Sequence, residues 1–328
     1  MRARRPPAGI GLDAYGCPMT EVPARRSIAD VGESLPGTGT ACSVLWDASD
    51  APAWGTATRA DLIVALEQPG PWGRSAAIQS HLDPGLGARL DAHTKKLGGR
   101  FQLIRTPGRH ADSPDAVASA GPRCLIARTG PAGWLVTARL YEASQLFGLT
   151  ATVLEDPADT ATALGGVLDP TPLLLVCTNG RRDRCCATRA RPIVAALAAA
   201  WPGQVWETSH TGGHRFAPTA LLLPWGRMLA RLDTSLGGAI LAAAAEGALP
   251  PAALGPRHDR GAMHLPAPQQ AAESWLRWQA GRCDLTDPVA EAGEKVAVTV
   301  ETGPAQPESC GSDPVPNVIL RPHWRPGT

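Results

Sequence analysis

Two histidines and three cysteines stand close enough together in the chain to suggest ligand chemistry. The stretch SHTGGHRF carries His210 and His214, with two glycines between them. Upstream, the stretch CTNGRRDRCC carries Cys177 and the adjacent pair Cys185 and Cys186. Thiolates and neutral imidazoles are the side chains that most readily bind zinc and iron. The pattern therefore predicts a metal centre, provided that the fold brings the two stretches together.

The two histidines are predicted to lie in a loop. A spacing of four residues suits one face of a helix, but Gly212 and Gly213 between the histidines disfavour a helix. Glycines permit a tight turn and a close approach of the backbone to a bound group. A zinc-protease motif is excluded, because it needs a helix and a glutamate between the histidines. No pair of carboxylates stands out as a glycosidase site either.

The elements around these residues are predicted to bring them to one edge of a sheet. PLLLVCTNG predicts a strand that ends at Cys177, and QVWETS predicts a second strand just before the histidines. Between them, ARPIVAALAAAWPG predicts a helix with Pro192 in its first turn, so Cys185 and Cys186 would lie just before that helix. Because neighbouring parallel strands have their carboxyl ends together, the thiolates and imidazoles should converge.

The same order of elements occurs twice in the chain. DLIVALE, GLGARLDAHTKKLGG and FQLIRT predict strand, helix and strand, and RCLIARTG with GWLVTARL predicts a hairpin. The later strand, helix and strand are likewise followed by a predicted hairpin, APTALLLPWGRMLARLD. This order predicts an α/β fold of two thioredoxin-like halves from an internal duplication. The first copy has LEQPGPWGR where the second has CTNGRRDRCC, so no metal is expected there.

The sequence predicts four regions. Residues 1–40 are rich in Arg, Pro and Gly without periodicity, which predicts a mobile tail. Residues 41–150 are assigned to a thioredoxin-like domain without metal, and residues 165–245 to a second thioredoxin-like domain, which carries the clustered Cys and His. Residues 246–328 form a C-terminal extension, in which PQQAAESWLRWQAGR predicts an amphipathic helix and KVAVTVET with NVILRP a closing hairpin.

Charge and hydropathy exclude several classes of function. The 31 basic and 30 acidic residues give a formal net charge of +1, so no overall field attracts nucleic acid or an anionic membrane. No apolar run reaches the roughly 18 residues of a membrane span. The basic first residues lack the apolar segment of a signal peptide. We expect a cytoplasmic protein without nucleic-acid or membrane partners.

The residues alone leave four interpretations open. The cysteines could be small buried apolar residues beside ordinary loop histidines. Two Cys and two His could bind a structural zinc, although the eight residues between Cys177 and Cys186 exceed the two to four usual in zinc sites. A 2Fe–2S cluster is wider and suits longer ligand loops, and two thiolates with two imidazoles is a known division of its ligands. A thiol oxidoreductase would use Cys185 or Cys186, activated by the helix N-terminus.

The chain resembles the sucrase/ferredoxin-like proteins, a branch of the thioredoxin-like ferredoxins. The resemblance rests on CTNGRRDRCCATRARP followed by HTGGHRFAP, and on LEQPGPWGRSAA, over about residues 40–240. It implies a 2Fe–2S cluster whose ligands, by the eight-residue cysteine spacing, fall on Cys177, Cys186, His210 and His214. It also implies an electron-transfer protein rather than a hydrolase, with redox donor and acceptor proteins as partners.

Histidine ligands predict proton-coupled redox chemistry. Two neutral imidazoles leave the oxidised cluster uncharged, whereas four thiolates give it two negative charges, so a higher potential than in plant-type ferredoxins is expected. An imidazole bound to iron through one nitrogen keeps a proton on the other nitrogen. Reduction of the cluster should raise the pKa of this proton, so that electron uptake is accompanied by proton uptake. Arginines near the ligands could form a solvated basic face, could favour the reduced state or, if clustered, could dock an acidic partner. These arginines are Arg181, Arg182, Arg184, Arg189, Arg191 and Arg215.

Overall fold

The computed structural model describes residues 41–49, 51–108 and 121–327. The predicted tail at residues 1–40 lies outside these residues. The α/β class is confirmed, because the described chain forms one ten-stranded mixed sheet with helices packed on it and a separate two-stranded sheet.

The strands are β1 (Leu62–Glu67), β2 (Gly99–Arg105), β3 (Arg123–Arg128), β4 (Trp134–Arg139), β5 (Val167–Leu168), β6 (Leu173–Cys177), β7 (Val205–Thr208), β8 (Ala220–Leu223), β9 (Arg227–Leu229), β10 (Asp259–Ala262), β11 (Val296–Pro307) and β12 (Pro314–Trp324). The α-helices are α1 (Cys42–Asp47), α2 (Ala76–Gln79), α3 (Pro84–Lys96), α4 (Pro157–Leu164), α5 (Arg184–Ala200), α6 (Thr234–Ala244), α7 (Ala267–Ala280) and α8 (Ala292–Lys295). Short 3-10 helices cover Ala143–Gly148, Val153–Glu155, His214–Phe216 and Pro251–Ala253.

The two halves of the large sheet have the same strand order. The order is β10-β9-β8-β6-β7-β2-β1-β3-β4-β5. In the first half β1 is parallel to β2 and antiparallel to β3, which pairs with β4; in the second, β6 is parallel to β7 and antiparallel to β8, which pairs with β9. The halves join where β2 and β7 pair antiparallel, Ile104 with Thr208 and Arg105 with Glu207. Their origin from one duplicated thioredoxin-like unit stays a prediction.

The central strands are buried on both sides of the sheet. Every residue of β1 and of β6 is buried, as expected for continuous apolar runs covered on both faces. On one face a single apolar cluster spans both halves and includes Ile63, Ile104, Leu175 and Leu221. On the other face each half has its own cluster. The halves therefore share part of one core.

Helix α5 begins earlier than its apolar pattern predicts. The Asp183 carboxylate accepts a hydrogen bond from the Cys185 backbone N–H (3.0 Å) and caps the helix. Cys185 and Cys186 therefore lie inside the first turn, not before the helix as predicted. Pro192 lies in the helix interior, not in the first turn. The cap and the buried apolar face outweigh the one backbone hydrogen bond that the proline removes.

The C-terminal helix and hairpin are found where the sequence predicts them, as α7 and as the β11–β12 pair. Strand β10 and helix α1 were not predicted. Arg227 of β9 pairs with Asp259 of β10 and with Glu273 of α7 (2.6 Å), and Glu273 also pairs with Arg277. Burial opposes ionisation of Glu273, but Arg227 and Arg277 lower its pKa to about 2. This buried charge network attaches α7 to the sheet edge.

None of the described helices combines the length and the hydropathy that a membrane span requires.

Candidate metal centre

Two buried thiols face each other at the carboxyl edge of the sheet. Cys177 is the last residue of β6, Cys186 is the third residue of α5, and each is 1% exposed. A hydrogen bond from Cys186 is the main cause that lowers the pKa of Cys177. The same bond, together with burial, raises the pKa of Cys186. We call Cys177 and Cys186 the inner cysteine pair. The lowered pKa favours the thiolate form of Cys177, and the negative charge of that thiolate favours a bound cation.

Both predicted histidines lie against the inner cysteine pair. The His214 Nδ1 atom is 3.9 Å from the Cys186 sulfur, and His210 hydrogen-bonds Cys177. The two imidazole rings stack, with centroids 4.8 Å apart. Burial lowers the pKa of His214, which keeps this imidazole in the neutral form that binds metals. The structure therefore brings together all four residues that the resemblance singled out.

A glycine turn holds the two imidazoles in this arrangement. Gly212 and Gly213 have φ angles of +79° and +67°, which side chains other than glycine rarely adopt. His214 then begins a short 3-10 helix, so the two histidines do not share an α-helix. The Arg260 guanidinium donates to the Gly212 carbonyl (3.0 Å), and a Cβ atom on Gly213 would lie 2.6 Å from it. This turn confirms the predicted loop.

The first half of the sheet holds the backbone of the candidate ligands in the second half. Arg100 and Gln102 of β2 donate to the His210 carbonyl at 3.1 and 3.0 Å. Asn179, two residues after Cys177, donates to the Gly73 carbonyl (3.0 Å). Gly73 belongs to LEQPGPWGR, the stretch that corresponds to CTNGRRDRCC in the repeated order. The first half, whose loop LEQPGPWGR contains no Cys or His, therefore still shapes the centre.

Buried positive charge surrounds the centre. Arg260 is 1% exposed, and burial followed by repulsion from Arg215 and Arg100 lowers its pKa to about 9, so it is still cationic at pH 7. The inner cysteine pair acts in the opposite direction on Arg260. Sequence reasoning missed Arg100 and Arg260, because both are remote in sequence and arginine is abundant throughout the chain. Their charge favours negative charge on whatever the centre binds.

The family model for sucrase/ferredoxin-like proteins matches residues 57–249. The chain belongs to the sucrase/ferredoxin-like family. The matched residues include the inner cysteine pair and both histidines but not Cys42 or Cys310. Comparison with curated proteins and with solved structures gave no significant match.

A second sulfur group of this sucrase/ferredoxin-like chain was not predicted. The Cys42 sulfur lies 3.7 Å from that of Cys185 and 3.6 Å from that of Cys310, and Cys185 and Cys310 are 3.0 Å apart. The Asp183 carboxylate is 3.9 Å from the Cys42 sulfur. All four ligand atoms lie within 4.8 Å of one another, so this group could hold a metal ion. We call these four residues the outer cysteine group.

The outer cysteine group joins three remote segments. Cys42 begins α1, Cys185 lies in the first turn of α5, and Cys310 lies in the turn between β11 and β12. Hydrogen bonds from Cys42, and then from Cys310, lower the pKa of Cys185 to about 6, whereas burial raises the pKa of Cys310 to about 11. In the sequence Cys42 and Cys310 are isolated cysteines, and only the fold reveals their convergence.

Three of the six predicted arginines have ion-pair or hydrogen-bond partners in neighbouring segments. Arg189 pairs with Asp47 (2.6 Å) and Arg215 with Glu308 (2.8 Å). Arg182 donates to a backbone carbonyl of the first half, that of Arg74 (3.3 Å). These three therefore fasten neighbouring segments to the region of the centre.

The other three arginines line an open cleft between the halves. Arg181, Arg184 and Arg191 are exposed and surround a volume of about 490 Å³. Arg105 and Trp72 line the side that belongs to the first half, with the guanidinium 4.1 Å from the indole ring centre. The cleft begins directly after Cys177, so a positively charged surface adjoins the candidate centre.

Proposed function

We propose that this protein is an electron carrier with one 2Fe–2S cluster bound by Cys177, Cys186, His210 and His214. The observation that carries the proposal is the contact between two buried thiols and two stacked imidazoles at one edge of the sheet. Two thiolates and two imidazoles is an established ligand division for 2Fe–2S clusters. The word ferredoxin in the family's description agrees with it.

The positively charged side chains around the four residues suit a cofactor that becomes more negative when it is reduced. When bound, the cluster would supply reversible one-electron storage. Arg100 and Arg260 place positive charge beside it, which favours the reduced state. His210 and His214 are half-buried, so a ring nitrogen that is not bound can exchange its proton with water. We therefore infer proton-coupled electron uptake.

The arrangement also supports descent from one duplicated thioredoxin-like unit. Each half has the same order and directions of strands, and the two corresponding loops meet at the centre through Asn179 and Gly73. In this interpretation the second half kept or gained the ligands. The first half lost or never had them, and it now contacts the loops that carry the ligands. The common origin rests on the repeated topology.

We infer that the cleft lined by Arg181, Arg184 and Arg191 receives an acidic region of a redox partner. The three exposed guanidinium groups adjoin the loop after Cys177, so a docked partner would come close to the centre.

Reduction of the protein by dithionite, an anionic reductant, tests whether the positive charge of this cleft attracts anions. Its reduction rate should fall with rising salt in the native protein, and change less in the variant with all three arginines replaced by glutamine.

Iron, inorganic sulfide and zinc analysis of the purified protein tests the proposal directly. A single dinuclear centre predicts about two irons and two sulfides per chain and a red-brown protein. About four irons would mean that a second cluster is present. Zinc without iron, bound by Cys177, Cys186 and the two histidines, would favour the alternative of a zinc-stabilised thioredoxin-like binding module. A metal-free protein with reactive Cys185 or Cys186 would favour a thiol oxidoreductase.

A further inference from the structure

We propose that the outer cysteine group is a second metal site, in which Cys42, Cys185, Cys310 and Asp183 bind one zinc ion. Three sulfur atoms and one carboxylate oxygen already lie within 4.8 Å of one another. Cysteine thiolates and a carboxylate are ligands that zinc accepts in four-coordinate sites. Two of the four ligands, Cys42 and Cys310, lie outside the residues that match the family.

The distances suit a tetrahedral ion. With sulfur about 2.3 Å from zinc, two sulfurs on a tetrahedron are separated by roughly 3.8 Å. Cys42 lies 3.7 Å from Cys185 and 3.6 Å from Cys310, close to this value. The 3.0 Å between Cys185 and Cys310 must widen by roughly 0.8 Å to reach it. Cys310 lies in a hairpin turn and is partly exposed, so it can make this movement.

The carboxylate of Asp183 is held in place as a fourth ligand. Asp183 is 3% exposed, and one of its oxygens accepts from the Cys185 N–H (3.0 Å). The other oxygen accepts from the Ser309 hydroxyl and from the Cys310 N–H, both at 2.9 Å. Ligating carboxylates are commonly oriented by such hydrogen bonds. Four protein ligands complete the coordination of a structural zinc and leave no position for a substrate.

A zinc ion would use all four residues of the outer cysteine group, whereas a disulfide would use only Cys185 and Cys310. A bond between Cys185 and Cys310 would need an oxidant to take two electrons, and both thiol protons would be released. It would leave the Cys42 thiol outside the bond, and the buried Asp183 carboxylate with only its hydrogen bonds from Cys185, Ser309 and Cys310. One zinc ion uses all four donors and offsets two of the four negative charges that three thiolates and one carboxylate carry.

The zinc would fasten three segments around the inner cysteine pair. Other contacts already bring the hairpin turn to this place: the Trp46 indole N–H donates to the Pro307 carbonyl (2.9 Å), and Glu308 pairs with Arg215 (2.8 Å). Because Cys185 precedes Cys186, binding at the outer group fixes the first turn of α5 and so the position of an inner ligand. Zinc has no redox chemistry of its own, so it would not compete for electrons.

Metal analysis of the purified full chain, dialysed against a weak chelator, tests this site. We expect one zinc per chain. Cys42→Ser and Cys310→Ser should each reduce zinc to below about a tenth per chain and retain more than about half of the iron. Cys124→Ala is the matched control, because Cys124 is a buried free cysteine in β3, and it should keep both metals. Zinc-edge X-ray absorption should show three sulfurs at about 2.3 Å and one oxygen at about 2.0 Å.

Cys177→Ser separates this site from the proposed cluster, since it should lose iron and keep zinc. Native protein without zinc would overturn the proposal, as would a Cys185–Cys310 disulfide found by mass spectrometry after alkylation of free thiols. Loss of iron instead of zinc in Cys42→Ser and Cys310→Ser would also overturn it. If the native protein contains zinc but no iron, and this zinc survives Cys177→Ser, the cluster is overturned and the zinc site is supported.

Discussion

Cys185 and Cys186 are neighbours in the chain but belong to different sulfur groups. Successive residues of a helix point about 100° apart, so adjacent side chains in the first turn of α5 face different neighbours. Cys186 faces Cys177 and His214, whereas Cys185 faces Cys42 and Cys310. The geometry therefore favours Cys186 as the second thiolate of the proposed cluster, a choice that the sequence alone left open.

Serine substitutions should distinguish the two neighbours. Cys186→Ser and Cys177→Ser should lose most of the bound iron, because each removes a proposed thiolate ligand. Cys185→Ser should retain more than about half of it, since only the outer cysteine group is changed. Iron per chain and visible absorption of the purified variants are the measurements. Loss of all iron in Cys185→Ser, with iron retained in Cys186→Ser, would show that the neighbours have the opposite roles.

Replacing a histidine ligand should alter both the reduction potential and its pH dependence. His210→Cys or His214→Cys adds a thiolate charge and removes an imidazole proton, so the potential should fall and its slope with pH should weaken. In the native protein the slope should approach about 59 mV per pH unit for one electron and one proton. Redox titrations between pH 6 and 10 measure both quantities. A variant that keeps the native potential and slope would mean that its histidine is not a ligand.

The inner centre was largely predictable from sequence and the outer group was not. The His-Gly-Gly-His spacing and the cysteines flanking one strand-helix connection are local patterns, and parallel strands bring such loops together. Cys42 and Cys310 lie at opposite ends of the chain and meet only because α1 and the C-terminal hairpin both pack near α5. Arg100 and Arg260 are likewise placed by tertiary contacts, which leave no local pattern.

At the scale of the elements, continuous apolar runs were enough to predict where the strands lie. The ends of the helices were harder to predict, because they depend on single polar residues. β1 and β6 were predicted because continuous apolar residues suit strands buried on both faces. The start of α5 was misplaced because the cap at Asp183 precedes the apolar pattern. β10 was missed because its sequence, DRGA, contains two charged residues that are buried only through tertiary partners.

The glycine turn at the centre should be intolerant of a side chain. Gly213→Ala should destabilise the protein by roughly 2–3 kcal/mol, because a positive φ costs about 1 kcal/mol and the Arg260 guanidinium must also move. Gly203→Ala is the control, since Gly203 has φ +83° but open space around a Cβ atom, and it should cost only about 1 kcal/mol. Urea unfolding measures both values. Equal losses would mean that contact with Arg260 does not matter.

At the scale of the whole molecule, the buried charge network holds the C-terminal extension to the sheet. Glu273→Gln should lower the free energy of unfolding by roughly 3 kcal/mol at pH 7, because Arg227 and Arg277 lose a shared buried partner. Glu301→Gln is the control, since its ion pair with Arg321 is exposed, and it should change stability by less than about 1 kcal/mol. Similar effects of both substitutions would contradict a structural role for the network.

The effect of Glu273→Gln should depend on pH in one direction. The pKa of Glu273 is about 2 in the folded protein against an ordinary value of 4.5, so its charge stabilises the fold above pH 4.5. This contribution is lost as the pH falls toward 2. The difference in unfolding free energy between native protein and variant should therefore be constant near neutral pH and shrink below about pH 4.5. A difference that grows on acidification would contradict the lowered pKa.

The junction of β2 with β7 limits whether the half that carries the candidate centre can be transferred to another protein. Only two residue pairs join the strands, yet beside them Arg100 and Gln102 reach across to the His210 carbonyl. A graft of residues 165–245 into another scaffold would leave that carbonyl without both donors, and would also remove the loop that contacts Asn179. A transplanted module should therefore include both halves, because Arg100, Gln102 and Gly73 of the first half hold the backbone around the candidate centre.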